Sequence, residues 1–405
     1  MRCAGIVAEY NPFHNGHQYH IEQTKKLTGC DYVIAVMSGN YVQRGEPAMF
    51  DKRMRAKWAL KGGADLVLQL PSALSLSSAE RFAKGSVGIL EGTGVLNYLS
   101  FGSEVTEADI LHRAAHITSF ETEKIKETIK TQLELGRSFP RARHNALAES
   151  GIQSEVVHAL SRPNSTLGIE YIKALKQFGS KAEPVIIKRM HAMHDSSELK
   201  GSFASASAIR RAVECEDAET LKSFLPEQVF SDIAATQSLG QSPAGHKDFS
   251  KIILYAVRSM SEQDLKNLPD VSEGFENVLH SAARSCANYE DFLRAAKSKR
   301  YTLARIRRIS MCALLRISRE LQQSALDISG SLYLRVLGVR SGARELLSAI
   351  AKNARLPLII KASDLKYLPP AAMKLFRNDV FCDEVYALGA GIPAVGDLSY
   401  RLLVV

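Results

Sequence analysis

The sequence predicts an α/β fold: a doubly wound parallel sheet followed by a mainly α-helical C-terminal domain. Three observations carry that prediction. Short runs rich in β-branched residues alternate with helical stretches over the first 214 residues, and runs that are apolar on both sides belong to strands covered on both faces, as in a parallel sheet. From about Asp217 the alternation gives way to one helical pattern after another. The length, 405 residues, also exceeds what a single core usually serves, so two domains are expected.

The expected strands are Cys3–Ala8, Tyr32–Met37, Asp65–Leu70, Leu96–Phe101 and Pro184–Lys188, each a short apolar run. Helices near His17–Leu27, Asp51–Lys61 and Ala79–Leu90 separate the first four, and right-handed crossovers between parallel strands then give a Rossmann-like sheet. Residues 107–179 read as a largely helical insertion before the fifth strand, and Ser202–Glu214 as a closing helix, so the first domain spans 1–214. The second, 215–405, carries helical patterns at Phe249–Arg258, Glu262–Asn267, Phe275–Cys286, Tyr289–Ala296 and Leu303–Gln322, with one β-like run at Leu356–Ala362.

Composition excludes several classes. The chain is 45% hydrophobic and 23% charged, without the about 18 uninterrupted apolar residues of a membrane helix, and the first strand opens without a signal-peptide pattern. Six cysteines, none in a Cys-x-x-Cys pair, argue against a disulfide framework and a structural zinc site. A cytoplasmic protein with reduced thiols is expected. Lysine and arginine number 52 against 43 acidic residues, a net charge of +9. The excess clusters, since Lys297 to Arg344 holds eleven basic and two acidic residues, and such a cluster suits a polyanionic partner.

The most specific stretch runs from Gly5 to His17, Gly-Ile-Val-Ala-Glu-Tyr-Asn-Pro-Phe-His-Asn-Gly-His. A strand, a Pro-containing turn and a helix start deliver two imidazoles and free backbone N–H groups to the carboxyl edge of a sheet, a natural polyphosphate site. Gly16 keeps side-chain bulk away from the phosphates. His14-Asn15-Gly16-His17 resembles the His-x-Gly-His signature of the nucleotidyltransferase superfamily, whose members direct attack on the α-phosphate of ATP and release pyrophosphate. There His17, with His14, would stabilise charge building on the α-phosphoryl group, which is electrostatic rather than covalent catalysis.

Other clusters join it. Ser38 to Pro47 forms an irregular Gly- and Pro-containing loop after the second strand, where Asn40, Gln43 and Arg44 are suited to a small polar or anionic substrate. Asp51 is a plausible helix N-cap, and Lys52 beside it serves phosphate charge or the surface equally well. Phe101-Gly102-Ser103-Glu104 ends the fourth strand, and Gly102 lets a nucleoside lie against the backbone; an ordinary turn explains the stretch as well. Ser205, Ser207 and Arg210 open a helix after the fifth strand, a pattern suited to β and γ phosphates; the superfamily carries a similar Ser-x-Ser/Thr-x-x-Arg motif there. His20 reads as a packing or orienting residue, and His191 and His194 with Asp195 read as a loop rather than a metal site. Arg305, Arg308, Arg316 and Arg319 gather charge on one flank of the predicted Leu303–Gln322 helix, and with Arg300 and Arg307 they suit either the phosphates of a structured RNA or plain solvation.

Together these stretches resemble one family, the bacterial tRNA(Met) cytidine acetate ligases. The resemblance rests on Ala8 to His17, Val36 to Pro47, Phe101 to Glu104, Pro163 to Tyr171, Arg305 to Arg308 and Leu334 to Gly338, and so spans nearly the whole chain. Ser165 stands where the family often has a second Asn. The resemblance implies ATP as substrate, Mg²⁺ carried with it, acetate as acyl donor and elongator tRNA(Met) as acceptor. Acetyl-adenylate forms first, and its acetyl group passes to N4 of the wobble cytidine. It also implies ATP contacts along Val7, Ala8, Glu9, Tyr10, Asn11, Pro12, Phe13, His14, Asn15, Gly16, His17, Gln18, Tyr19 and His20, and at Gly102, Asn164 and Arg189. Two other readings stay open from the residues alone: an adenylyltransferase of cofactor biosynthesis, and a non-catalytic RNA-binding protein.

Overall fold

The computed structural model describes residues 1–189, 205–238, 243–272, 274–394, 396, 399 and 401–405. Strand β1 (Cys3–Ala8) leads through a turn into α1 (Asn15–Thr28), followed by β2 (Tyr32–Ser38), the small ribbon β3 (Tyr41–Val42) and β4 (Glu46–Pro47), α2 (Lys52–Lys61) and β5 (Leu66–Leu70). Helices α3 (Ser72–Ser75) and α4 (Ala79–Gly92) precede β6 (Leu96–Ser103). Five helices then intervene, α5 (Ala108–Ser119), α6 (Glu123–Glu134), α7 (Phe139–Glu149), α8 (Ser154–Ser161) and α9 (Pro163–Gln177), before β7 (Glu183–Lys188). The expected closing helix begins among residues outside the described ones, as do His191, His194 and Asp195, and its described part is α10 (Ala206–Glu214).

The C-terminal part runs α11 (Ala218–Phe224), α12 (Glu227–Ser238), α13 (His246–Ser259), α14 (Glu262–Lys266), α15 (Phe275–Ser285), α16 (Tyr289–Ala296), α17 (Leu303–Leu314), α18 (Arg319–Ser324) and α19 (Ile328–Ser331). It then adds β8 (Leu334–Val339), α20 (Arg344–Asn353), β9 (Leu358–Ile359), α21 (Pro370–Gly389) and β10 (Leu403–Val404).

The main sheet is ordered β10-β8-β5-β2-β1-β6-β7, with β9 on β8. The five N-terminal strands are mutually parallel. Chain direction across the sheet reverses at β1, whose neighbours β2 and β6 are reached by opposite routes, and such a switch point opens a crevice at the carboxyl edge. Alternation along the strands divides the core. Cys3, Ile34, Val36, Leu66 and Leu68 bury on one face, in a cluster continuous with Phe249, Phe292, Ile306 and Tyr386. Ala4, Ile6, Val33, Ala35 and Val67 bury on the other, beneath Trp58, Ala208 and Phe224. The insertion carries a small core of its own around Ile125, Ile129, Ala146 and Leu147. None of the six cysteines is bonded to another, and no helix among the described residues is long and apolar enough to cross a membrane.

Two sequence expectations are corrected. The sheet is mixed, because β8 pairs antiparallel with β5; Arg335 and Gly338 interrupt its apolar run, which hid it. The predicted Leu303–Gln322 helix breaks between α17 and α18, where Arg316 adopts φ +55°. Arg305 and Arg308 therefore do not share a helical flank with Arg316 and Arg319.

Candidate active site

The carboxyl ends of β1, β6 and β7 open onto a cavity of about 300 Å³. The end of β1 supplies Val7 and Ala8, the turn after it Glu9, Tyr10 and His14, and α1 adds Gly16, His17, Tyr19 and His20. Gln43 and Arg44 come from the β3–β4 loop, Gly102 from β6, Asn164 from α9 and Arg189 from the end of β7. Ser205, Ser207 and Arg210 come from the start of α10. Residues scattered over two hundred positions of sequence thus share one wall.

The turn that brings the histidines there is heavily braced. Tyr10 adopts φ +48° and the Asn11–Pro12 peptide is cis. Asn11 accepts the Met49 amide at 2.8 Å through Oδ1, and its carbonyl accepts Arg210 Nη1 at 3.2 Å. Phe13 is fully buried, and its ring lies so close to Gly62 that a Cβ there would sit 2.2 Å from it. The strongest brace is Arg55, 0% exposed on α2. Its guanidinium donates to the carbonyls of Phe50 at 2.8 Å, Glu9 at 2.6 Å, Ser38 at 3.2 Å and Gly39. One cation therefore ties the loops after β1 and β2 together. Nothing in the sequence marks it, since one arginine in a helix rich in lysine and arginine looks solvated.

His14 is the N-cap of α1, and its Nδ1 accepts the Gly16 amide at 3.1 Å. His17 Nδ1 accepts the His14 amide at 3.2 Å, which closes a capping box. Both Nδ1 lone pairs are thereby occupied by backbone N–H groups, so a neutral ring carries its proton on Nε2. The rings stack with centroids 3.7 Å apart. Burial is the first cause that lowers both pKa values, to about 3 for His14 and well below the ordinary value for His17. His20, bonded through Nε2 to Ser100 Oγ at 3.0 Å, is lowered to about 4 by the same burial. Neutral Nε2–H donors facing a cavity are suited to phosphate oxygens.

This has a consequence for acid stability. In the unfolded chain these imidazoles protonate near 6.5, whereas in the folded protein His14 and His20 resist protonation until about 3 and 4. The unfolded state then binds more protons, so their stability contribution is complete above pH 6.5 and is lost as pH falls below it. We expect the unfolding midpoint of the ligand-free protein to fall between pH 7 and pH 4.5. The fall should be shallower in His14→Asn, which keeps a capping acceptor; an unchanged slope would contradict the assignment.

Around the histidines the cavity is cationic with one exception. Arg189 Nη1 donates to Asn164 Oδ1 at 3.1 Å, and Glu104 holds Asn164 Nδ2 at 2.6 Å, so a carboxylate–amide–guanidinium chain fixes Arg189. Ser205 caps α10 by accepting the Ala208 amide, and its hydroxyl lies 3.0 Å from that of Ser207. The exception is Glu9, whose Oε1 accepts the Gln43 amide at 2.8 Å. Burial raises its carboxyl above the ordinary value.

Several expected residues lie elsewhere. Asn40 is corrected as a substrate residue: Asp383 accepts its Nδ2 at 2.8 Å and Lys52 donates its amide to its Oδ1, a largely buried network, and Asn40 does not line the cavity. Lys52 itself is 3% exposed, bonded to Gln69 at 2.8 Å and ion-paired with Asp383. Asn15 donates to Ser223 O and Gln18 to Glu22, while Asn11, Pro12 and Phe13 shape the turn from behind. Conversely Phe82, Phe101, Leu167, Tyr171, Ile187 and Lys188 line the cavity, although the sequence names none of them as a site residue even where, as with Phe101, Leu167 and Tyr171, they lie within a motif. The apolar periodicity of the first five signals only burial. Phe101 and Tyr171, with ring centroids 5.7 Å apart, give the cavity an aromatic side suited to a base.

The basic segment is largely committed inside the protein. Arg305 donates to Asp270 O through Nε and Nη2, at 3.0 and 2.6 Å, and stacks over Tyr301. Arg307 pairs with Glu46 at 2.6 Å, and Arg308 with Asp270 at 3.5 Å. Arg319 donates to Lys266 O and Val271 O, and Arg316 lies over Phe381 at 4.7 Å. Loop carbonyls without helical partners need donors, and the arginine forks supply them.

Comparison with known proteins agrees with this geometry. A model of the HIGH Nucleotidyl Transferase family matches residues 1–394. The tRNA(Met) cytidine acetate ligase of Caldanaerobacter subterraneus subsp. tengcongensis is 40% identical over 400 residues, covering 99% of this chain and 98% of that protein. The tRNA(Met) cytidine acetate ligase of Acetivibrio thermocellus is 36% identical over 400 residues, covering 97% and 96%. Among solved structures, apo TmcAL of Thermotoga maritima superposes with a TM-score of 0.94 at 34% identity, with both chains fully covered. The same protein bound with alpha-thio ATP gives 0.91 at 33% identity, again with both chains fully covered.

Proposed function

The chain belongs to the tRNA(Met) cytidine acetate ligases within the HIGH Nucleotidyl Transferase family, and from that membership we propose how its cavity carries out ATP-dependent acetylation of a tRNA cytidine. ATP binds with its base on the side of Phe101, Gly102 and Tyr171 and its triphosphate toward Ser205, Ser207, Arg210 and the α10 N-terminus. Mg²⁺ travels on the phosphate oxygens as part of the substrate. Gln43 and Arg44 hold acetate for attack on the α-phosphate. His14 and His17 donate Nε2–H bonds as charge builds on the phosphoryl oxygens, and pyrophosphate leaves. The acetyl group of the mixed anhydride then passes to N4 of the wobble cytidine of elongator tRNA(Met), releasing AMP.

The observation that carries this reading is the stacked pair of imidazoles, each with Nδ1 occupied by a backbone amide, at the switch point of the sheet. Its test is label transfer from acetate to unmodified elongator tRNA(Met), with ATP and Mg²⁺ present and acetyl-CoA absent. Labelled N4-acetylcytidine in the digest is expected. Pyrophosphate release with a phosphate ester, and none with acetate, would move the protein to cofactor adenylylation.

By role we divide the chain into a nucleotide-binding part, 1–214, and a tRNA-binding part, 215–405; the division is not one of sheet, since β8 and β10 extend it. RNA binding is assigned to Arg300 and Arg316, with the exposed Lys297 and Lys299 beside Arg300. Arg305, Arg307 and Arg308 support that surface by fixing α17. Lys297→Ala/Lys299→Ala/Arg300→Ala is therefore expected to lower the salt dependence of tRNA binding, by about one in the log–log slope for each phosphate that is no longer neutralised. Arg307→Ala should leave that slope nearly unaltered. The opposite ranking would place phosphate on Arg307.

A further inference from the structure

Acetyl transfer to cytidine requires a base. The N4 amino group is a weak nucleophile that must lose a proton as its bond to carbon forms. The cavity walls narrow the choice of acceptor. His14 and His17 have their Nδ1 lone pairs occupied by backbone amides, and His20 Nε2 is bonded to Ser100. Arg44, Lys188, Arg189 and Arg210 are cations without a lone pair. The hydroxyls of Ser205 and Ser207 face each other at 3.0 Å. Glu9 is the one carboxylate lining the cavity among the described residues.

Its position needs a reason. A carboxylate in a wall built of arginines, a lysine and a helix N-terminus opposes the binding of a polyanion, so it weakens ATP affinity unless a later step uses it. It is also held in place from both ends: Oε1 accepts the Gln43 amide at 2.8 Å, and its carbonyl accepts Arg55 at 2.6 Å. The second carboxylate oxygen keeps acceptor capacity.

We infer that Glu9 is the general base of the transfer step, accepting the N4 proton of the cytidine as that nitrogen attacks the acetyl carbonyl carbon of acetyl-adenylate. The carbon–nitrogen bond forms while the proton moves to Glu9. The tetrahedral intermediate then collapses with cleavage of the bond from the acyl carbon to the phosphate oxygen, and AMP departs with that electron pair. The proton passes from Glu9 to water. Burial, which raises the Glu9 carboxyl, strengthens it as a base, and the Gln43 amide, Arg210 and Arg44 oppose that rise. Adenylate formation asks nothing of this group, because acetate arrives as its own anion.

This inference rests on the acetate ligase reading, and two half-reactions separate the two claims. Acetate-dependent ATP–pyrophosphate exchange reads adenylation, and single-turnover acetylation of tRNA(Met) from preformed acetyl-adenylate reads transfer. Glu9→Gln preserves an oxygen acceptor for the Gln43 amide. It is expected to lower transfer about 10²–10⁴-fold, far more than exchange. In the wild type the transfer rate should rise with pH along an acid limb, which Glu9→Gln removes and Glu9→Asp restores in part. Equal loss in both half-reactions would make Glu9 an ATP-binding or structural residue and overturn the inference, as would a wild-type transfer rate without an acid limb. A wild type without acetate-dependent exchange would overturn the ligase reading itself.

Discussion

His17→Ala is expected to lower acetate-dependent ATP–pyrophosphate exchange by about 10²–10³-fold, the usual cost of removing one pre-oriented donor from a developing oxyanion, with tRNA affinity unchanged. The direction follows from where the His17 ring is held. Nδ1 is committed to the His14 amide at 3.2 Å, the ring stacks on His14 and edges onto Tyr10 with centroids 4.9 Å apart, and it lines the cavity. Nε2–H is what remains for substrate. Alanine also removes the reciprocal half of the α1 capping box, which costs about 1 kcal/mol, so a control is needed. His17→Asn keeps an acceptor for the His14 amide and should recover stability without recovering exchange. Parallel loss of exchange and tRNA affinity in His17→Ala would sink the separation of nucleotide and RNA sites.

The parts of this molecule that were legible in sequence are those whose causes are local. The β1–turn–α1 unit is written in consecutive residues: an apolar run, a Pro turn, and His14 and His17 spaced to cap the helix they begin. Each parallel strand likewise carries its own pattern, and the observed bounds differ from the expected ones by no more than two residues. What could not be read depends on partners far away in the chain. Asn40 looked available for substrate, but its side chain belongs to Asp383, 343 positions later. Arg307 looked like a phosphate ligand, yet Glu46 claims it across 261 positions. Strand β8 needs β5 for half of its pairing and shows Arg335 and Gly338 in place of a clean apolar run. A charged or amide side chain in sequence announces a capacity for hydrogen bonds. Only the fold decides whether that capacity is spent inside the protein or left for a ligand.

Arg55→Met should have the largest structural effect of any single substitution at this site, destabilising the protein by about 3–5 kcal/mol. Methionine matches much of the volume, so the loss reads hydrogen bonding more than packing. Four carbonyls, the buried ones of Ser38, Gly39 and Phe50 and the part-buried one of Glu9, accept from this one guanidinium, and water cannot replace the donor at a position that is 0% exposed. Each carbonyl left unpaired costs about 1–3 kcal/mol before relaxation. Arg55→Lys tests the fork against the charge: an ammonium retains the cation but cannot reach carbonyls on three separate loops at once. It is expected to recover only a minor share of the stability, measured by urea unfolding. Because Glu9 lies on one of those loops and Gln43 and Arg44 on the β3–β4 ribbon between Gly39 and Phe50, any folded Arg55→Lys protein should also show a raised KM for acetate. If lysine restores both stability and KM, charge alone organises the site and the carbonyl clamp is incidental. If it restores neither, the turn that presents His14 and His17 is held from beneath by a residue that never touches substrate.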